Sequence, residues 1–202
     1  LLLDAYAQRL AAPVLGAYVV DGRVLDARLP QVRTQPFEGT FRRFAFADAP
    51  AVVAPGPAAE RQVSAGLVGG HLEPAVEAVH ERTRAGRRVL RGAIANAVAI
   101  TFLHLSWPDP DHARHVDAAR EFLALTPGLA DLVGIEAVLA GGRPWMYTER
   151  NTCCLAFRTR PNQERELSYC AACPVLPRAT TRSMFAEATA SYAQRQAHAQ
   201  GT

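Results

Sequence analysis

The sequence predicts an α+β fold: a small N-terminal β-sheet packed on a mainly helical body, with a C-terminal cysteine segment followed by a helix. Three observations predict it. Short apolar runs separated by turn residues fill the first quarter of the chain, and apolar residues recur at helical spacing after it. All four cysteines lie between positions 153 and 173, ahead of a last polar-faced segment. A chain of 202 residues that is 49% hydrophobic and 20% charged has ordinary globular composition. It can bury a core without a metal or disulfide merely to hold the fold together.

The elements follow in order. Leu1 to Ala12 is apolar at Leu2, Leu3, Tyr6 and Leu10, the spacing of a helix, and Pro13 is expected to interrupt or kink it. Val19-Val20, Asp21-Gly22 and Val24-Leu25 read as two extended pieces around a tight turn. Gln31 to Gln35 and Thr40 to Phe46 read as strands, with Phe41, Phe44 and Phe46 available for one face. Asp48 to Pro57, rich in Pro and Ala, reads as a loop. It separates an expected N-terminal subdomain, 1–57, from a helical subdomain, 58–202, that carries the cysteine segment at 150–176.

In the second part, Leu72 to Ala85 follows a charged loop and places Val76 and Val79 on one helical face. Val89 to Leu105 is apolar nearly all round, as a buried helix is, with Asn96 its conspicuous polar residue. Asp109 and Asp111 supply an acidic start for a helix from His112 to Leu125. Thr126-Pro127-Gly128 stops it, Leu129 to Leu139 reads as another helix, and Arg143 to Glu149 looks extended. Arg178 to Gln200 is the final helix. Gly69-Gly70 and Gly141-Gly142 are read as turns, because neither has the spacing of a phosphate-binding loop.

Charge excludes one class of partner. All 22 basic residues are arginine, they are spread along the chain, and 19 carboxylates offset them. No basic stripe interleaved with aromatics is present, so nucleic acid is not an expected partner. No apolar run reaches the roughly 18 uncharged residues of a membrane span. No signal peptide is visible at the start, and the expectation is a cytoplasmic chain not integral to the membrane.

The chemistry is concentrated in the cysteines. Cys153-Cys154, fifteen residues, then Cys170-x-x-Cys173-Pro174 brings four thiols from two short segments. Such a set suits an iron–sulfur cluster or structural zinc. Zinc usually takes two spaced knuckles, and adjacent side chains of an extended chain point to opposite faces. A two-iron cluster is wider and accepts a vicinal pair more easily. Zinc, a pair of disulfides and a thioredoxin-like Cys-x-x-Cys remain open on the residues alone, although no βαβ pattern surrounds the last. Arg150, Arg158 and Arg160 flank the segment and would offset the charge of four thiolates.

The run Tyr147-Thr-Glu-Arg-Asn-Thr-Cys-Cys-Leu-Ala-Phe-Arg158, followed by Tyr169-Cys-Ala-Ala-Cys-Pro-Val-Leu176, resembles the ferric-siderophore reductases, the FhuF-like iron–sulfur proteins. More loosely, Arg88 to Val98 is similar to that family's Gly-Asn-x-Ala-type helix, and Leu132-Val-Gly-Ile135 to its pre-cysteine Gly turn. The gap between the cysteine pairs is usually about ten residues in the family and is fifteen here. The excess falls on the polar stretch Asn162 to Glu166, read as an exposed loop insertion.

The resemblance implies a [2Fe–2S] cluster on Cys153, Cys154, Cys170 and Cys173. It implies single-electron transfer to Fe(III) held by a siderophore, with release of Fe(II) in the cytoplasm. A ferredoxin, a flavin reductase or a small thiol or nicotinamide reductant would donate the electron, since the chain has no nucleotide-binding fingerprint of its own. The competing readings are a non-catalytic carrier or iron sensor with the same cluster, and a structural zinc domain.

Other candidates carry a weaker signal. Trp145 and Tyr147 could pack beside the cluster or line a chelate site, and packing is the commoner use. Arg150 and Arg158 could meet an anionic ferric siderophore or simply compensate charge. His112 and His115, three apart, have a metal-compatible spacing but no visible third ligand, and read as solvated residues on a polar face. Asn96 reads as satisfying a buried partner.

Overall fold

The computed structural model describes residues 2–37, 40–158 and 169–200. Helix α1 spans Leu2–Asp21 and continues through Pro13, so the helix is not interrupted at that residue. A proline inside a helix removes one backbone hydrogen bond and costs about 3 kcal/mol. Here Leu10 and Ala11 before it, and Val14, Leu15 and Tyr18 after it, are all buried. Each large apolar side chain buried is worth roughly 1.5–3 kcal/mol, and together they outweigh the lost bond. The extended pair expected around Asp21-Gly22 is therefore corrected: Val19 and Val20 are helical, and Gly22, at φ +62°, ends α1 by donating to the Tyr18 carbonyl.

Three antiparallel strand pairs follow: β1 (Arg23–Val24) with β4 (Ala51–Val52), β2 (Val32–Phe37) with β3 (Thr40–Phe46), and β5 (Val133–Ala140) with β6 (Arg143–Arg150). The register of β2 and β3 slips between Gln35 and Pro36, whose partners are Arg43 and Phe41. The extra residue, Arg42, reverses the inside–outside alternation there. Phe41 and Phe44, three apart, thus both reach Tyr6, at centroid distances of 4.8 and 5.6 Å.

The Ala58 to Ala85 region is more helical than its glycines suggested. Helix α2 (Pro57–Ser64) passes through a widened π-helical stretch at Ala65–Leu72 into α3 (Glu73–Thr83). Gly69-Gly70 is therefore not a turn, and the charged loop expected before Leu72 is helical. A Cβ on Gly70 would meet Arg28 Cγ at 2.9 Å, so glycine serves close packing there. The buried His71 ring ties this stretch to the rest, contacting the Ala27 carbonyl at 2.7 Å and the Tyr6 hydroxyl at 2.5 Å.

Helix α4 (Arg87–Ser106) is the spine, with Gly92 through Ala99 continuously buried. It is packed by α1, α3, α5 (His112–Ala124) and the β5–β6 hairpin. By length and composition it could cross a membrane, yet 67% of its apolar window is buried inside the fold. The Asp111 carboxylate caps α5 by accepting from the Arg114 N–H at 3.1 Å.

The helix expected over Leu129–Leu139 is a strand instead. After a short 3₁₀ turn at Ala130–Leu132 the chain forms β5, and Gly141-Gly142, at φ +60° and +80°, makes the two-residue turn into β6. Positive φ at both central residues matches the twist of a hairpin, which glycine accepts without strain. Pairing with β6 outweighs the local apolar spacing. Gly134, expected in a turn, lies inside β5. The final helix, α6 (Arg178–Gln200), docks on this hairpin: Arg178 bonds Glu149 and Glu136 at 3.0 and 2.5 Å, and Tyr147 donates to Thr181 at 2.8 Å.

Candidate metal centre

Strand β6 leads into the cysteines. Past its end, the Arg150 N–H donates to the Ala172 carbonyl at 3.1 Å, and the Asn151 N–H to the Leu132 carbonyl at 3.0 Å. The first bond sets the Cys-x-x-Cys turn beside the start of the vicinal pair. That turn is closed by the Cys173 N–H donating to the Cys170 carbonyl at 3.0 Å. Leu155, directly after the pair, holds φ +59°, a region rarely used by a branched side chain, and its N–H donates to Cys153 Sγ at 3.4 Å.

The two segments meet at Cys154 and Cys170, whose thiols are hydrogen-bonded. The Cys170 hydrogen bond, the Ala156 N–H and the Arg150 guanidinium together pull Cys154 down to about 6. Cys170 is pushed up by the same bond, by burial and by the neighbouring Cys173. The pair is thus pushed in opposite directions, Cys154 toward the thiolate and Cys170 toward the thiol. All four cysteines are free, and Cys173 is buried. Among the described residues no three His, Cys, Asp or Glu side chains already stand as a metal-holding group.

Cys154 and Cys170 form one wall of a cavity of about 300 Å³. Ile100, Leu103 and Phe185 give it an apolar character, and Tyr147 lines it too. Its polar contributors are Asp4 and Gln8 from α1, Asn96 from α4, and Thr148 and Arg150 from β6. The Arg150 side chain is buried; its Nη1 donates to Asp4 at 2.9 Å and its Nε to the Thr152 carbonyl at 3.3 Å. Its Nη2, fully buried, has no partner among the described residues. A buried guanidinium N–H without an acceptor is costly. Beside the Cys154 and Cys170 sulfurs it is the complement an anionic group would need, so these residues fit a cluster held by thiolates.

Helix α4 is shaped to receive the segment. A Cβ on Gly92 would stand 1.8 Å from Thr152 Oγ1 and 2.8 Å from Thr152 Cβ. The residue just before Cys153 therefore rests on the bare helix backbone, and Asn96 lies one turn further along the same face.

The structure brings Tyr147 and Arg150 to the cavity and leaves Trp145 and Arg158 off it. Trp145 is buried, with Nε1 donating to the Ala140 carbonyl at 3.1 Å and Trp107 and His112 against its ring. Arg158 is exposed over the Phe157 ring. Arg160 and the stretch Asn162 to Glu166 lie outside the described residues. His112 and His115 are not solvated, because α5 turns them inward. His112 packs 4.7 Å from Trp145, and His115 contacts the Asp109 carboxylate at 3.0 Å. Sequence reasoning missed Asp4, Gln8 and Gly92, and gave Asn96 a purely structural role. Only Asn96, polar in an apolar helix, left a signal to follow.

The fold and site define a helical α+β protein with a thiol-lined, half-open cavity and a buried guanidinium beside it. Residues 1–167 match the family described as ferric iron reductase FhuF-like transporter, and the chain belongs to that family. Membership gives it a ferric iron reductase role in general, with ferric iron as substrate. The matched stretch contains the vicinal pair and the α1, α4 and β6 contributors to the cavity, and ends before Cys170. No curated protein and no solved structure matches the chain.

Proposed function

We propose that this protein is a ferric-siderophore reductase in which Cys153, Cys154, Cys170 and Cys173 hold a [2Fe–2S] cluster. The observation that carries the reading is the meeting of Cys154 and Cys170, with fifteen residues between them in sequence, against a buried Arg150 whose Nη2 has no partner among the described residues. Such a cluster, when bound, supplies a one-electron couple, and thiolate ligation generally holds its potential low. Hard oxygen donors such as hydroxamate or catecholate favour Fe(III). One electron added to the chelated iron gives Fe(II), which these donors hold weakly, so reduction is also release.

The protein's own residues do the rest. Cys154 is already a thiolate near neutral pH, which lowers the cost of ligation. Arg150 offsets negative charge, and its ion pair with Asp4 fixes the guanidinium against the cavity. The apolar wall of Ile100, Leu103 and Phe185 keeps the local dielectric low and limits water. We place the activity in the cytoplasm, where thiols stay reduced. The electron comes from an external donor, a ferredoxin, a flavin reductase or a small reductant.

The test is turnover. Protein reduced anaerobically and mixed with a ferric trihydroxamate should be reoxidised, and one Fe(II) per electron should appear on a chromogenic Fe(II) chelator. Reduced protein that stays reduced in excess ferric chelate refutes the reductase reading.

A further inference from the structure

We infer that Asn96 is a positioning residue for the metal centre: its carboxamide, with Arg150 Nη2, donates hydrogen bonds to sulfur of the thiolate-held cluster and raises its reduction potential. The inference rests on the cluster reading above. Its basis is a pair of buried polar groups left without hydrogen-bond partners among the described residues.

Asn96 is 4% exposed and sits in the longest apolar segment of the chain. A buried carboxamide normally finds protein partners, because leaving one without them costs about 1–3 kcal/mol. Among the described residues neither its oxygen nor its nitrogen has a side-chain hydrogen bond, and Asn96 lines the cavity shared with Cys154 and Cys170. Arg150, also 4% exposed, keeps Nη2 unpaired at the same cavity. Of the other polar neighbours, Gln8 Nε2 donates to Asp4 at 3.2 Å, Asp4 also receives Arg150 Nη1, and Tyr147 donates to Thr181, while Thr148 adds a hydroxyl to the same wall. The Asn96 carboxamide and Arg150 Nη2 are therefore nitrogen donors on one cavity whose wall carries cysteine sulfurs.

Helix geometry explains why position 96 fills this role. Gly92 contacts Thr152, the residue before the vicinal pair. Asn96, four residues on, lies one turn along the same face, and Ile100 one turn further. The face that seats the cysteine segment thus carries one donor and is otherwise apolar. A hydrogen bond to a cluster sulfur favours the more negative, reduced state and so raises the potential. No proton is transferred; one electron enters or leaves, and the N–H donors remain in place.

The experiment is the midpoint potential of the cluster in holoprotein, by spectroelectrochemistry with EPR of the reduced state. Asn96→Leu should shift it negative, with about a tenfold smaller reduced-to-oxidised ratio at fixed potential, which is about 59 mV for one electron. Asn96→Asp, which loses the N–H donors and adds negative charge, should shift it further the same way. Ile100→Val, on the same face without a donor, should leave it in place. Labelling asparagine side-chain amides with ¹⁵N should replace a ¹⁴N hyperfine coupling by a ¹⁵N one, and Asn96→Leu should remove it. Full iron content with an unmoved potential and unchanged coupling in both Asn96 variants overturns this inference while the cluster reading stands. A wild-type protein without iron and sulfide overturns the cluster reading itself.

Discussion

Replacing Gly92 with alanine tests how the cysteine segment is seated. The new Cβ would lie 1.8 Å from Thr152 Oγ1, 2.8 Å from its Cβ and 3.1 Å from its Cγ2. Rotating χ1 can move Oγ1 and Cγ2 but leaves Cβ in place, so the Thr152 backbone must retreat. It is held by the Arg150 Nε bond to its carbonyl and by the β6 end, where Asn151 is tied to Leu132 and Arg150 to Ala172. Overpacking of this kind costs about 1–3 kcal/mol. The better helix propensity of alanine returns at most about 1 kcal/mol. The expected result is a net loss of about 1 kcal/mol in urea unfolding of the metal-free protein, with reduced iron loading. Thr152→Gly should relieve it, with a coupling energy of about 1–2 kcal/mol in the double-mutant cycle. A Gly92→Ala protein stabilised by about 1 kcal/mol, as at an exposed helical glycine, with no coupling to Thr152, would refute this seating.

Two further predictions concern the buried charges. Asp4→Asn removes the carboxylate that pairs Arg150 across the cavity. Stranding a buried guanidinium costs about 3 kcal/mol, read by urea unfolding, while the substitution of an exposed acid such as Glu187 should cost almost nothing. The second is a pH dependence. Burial holds His71 and His112 below the ordinary histidine value of 6.5, and the Arg143 charge adds to this at His112. The unfolded chain then takes up protons near pH 6.5 that the folded one refuses, so stability is full above that pH and falls as pH drops below it. His112→Phe should flatten part of that slope while keeping the Trp145 contact; an unchanged slope would show that His112 does not contribute.

The legibility of this chain in its sequence differed by element. Helix α4 was readable because burial on all sides leaves an apolar run with its one polar exception, Asn96, in view. The cysteine pairs were readable because four thiols in a 21-residue window admit few chemistries. The β5–β6 hairpin was not, since Leu129 to Leu139 satisfies helical spacing and only its pairing with Arg143–Arg150 decides for a strand. Pro13 and Gly69-Gly70 misled for a related reason: each is a local helix breaker, and tertiary packing on α4 and against Arg28 overrides it. Asp4 could not have been found, because it meets Arg150 across 146 residues of sequence. The inward turn of His112 and His115 likewise depends on where α5 packs, which spacing alone does not encode.

The central claim is the ligand set, and anaerobic purification tests it most directly. The account predicts a brown protein with two irons and two sulfides per chain, visible charge-transfer bands bleached by dithionite, and loss of those bands in Cys154→Ser. A colourless protein carrying one zinc, or a Cys154→Ser variant with the wild-type spectrum, would contradict it.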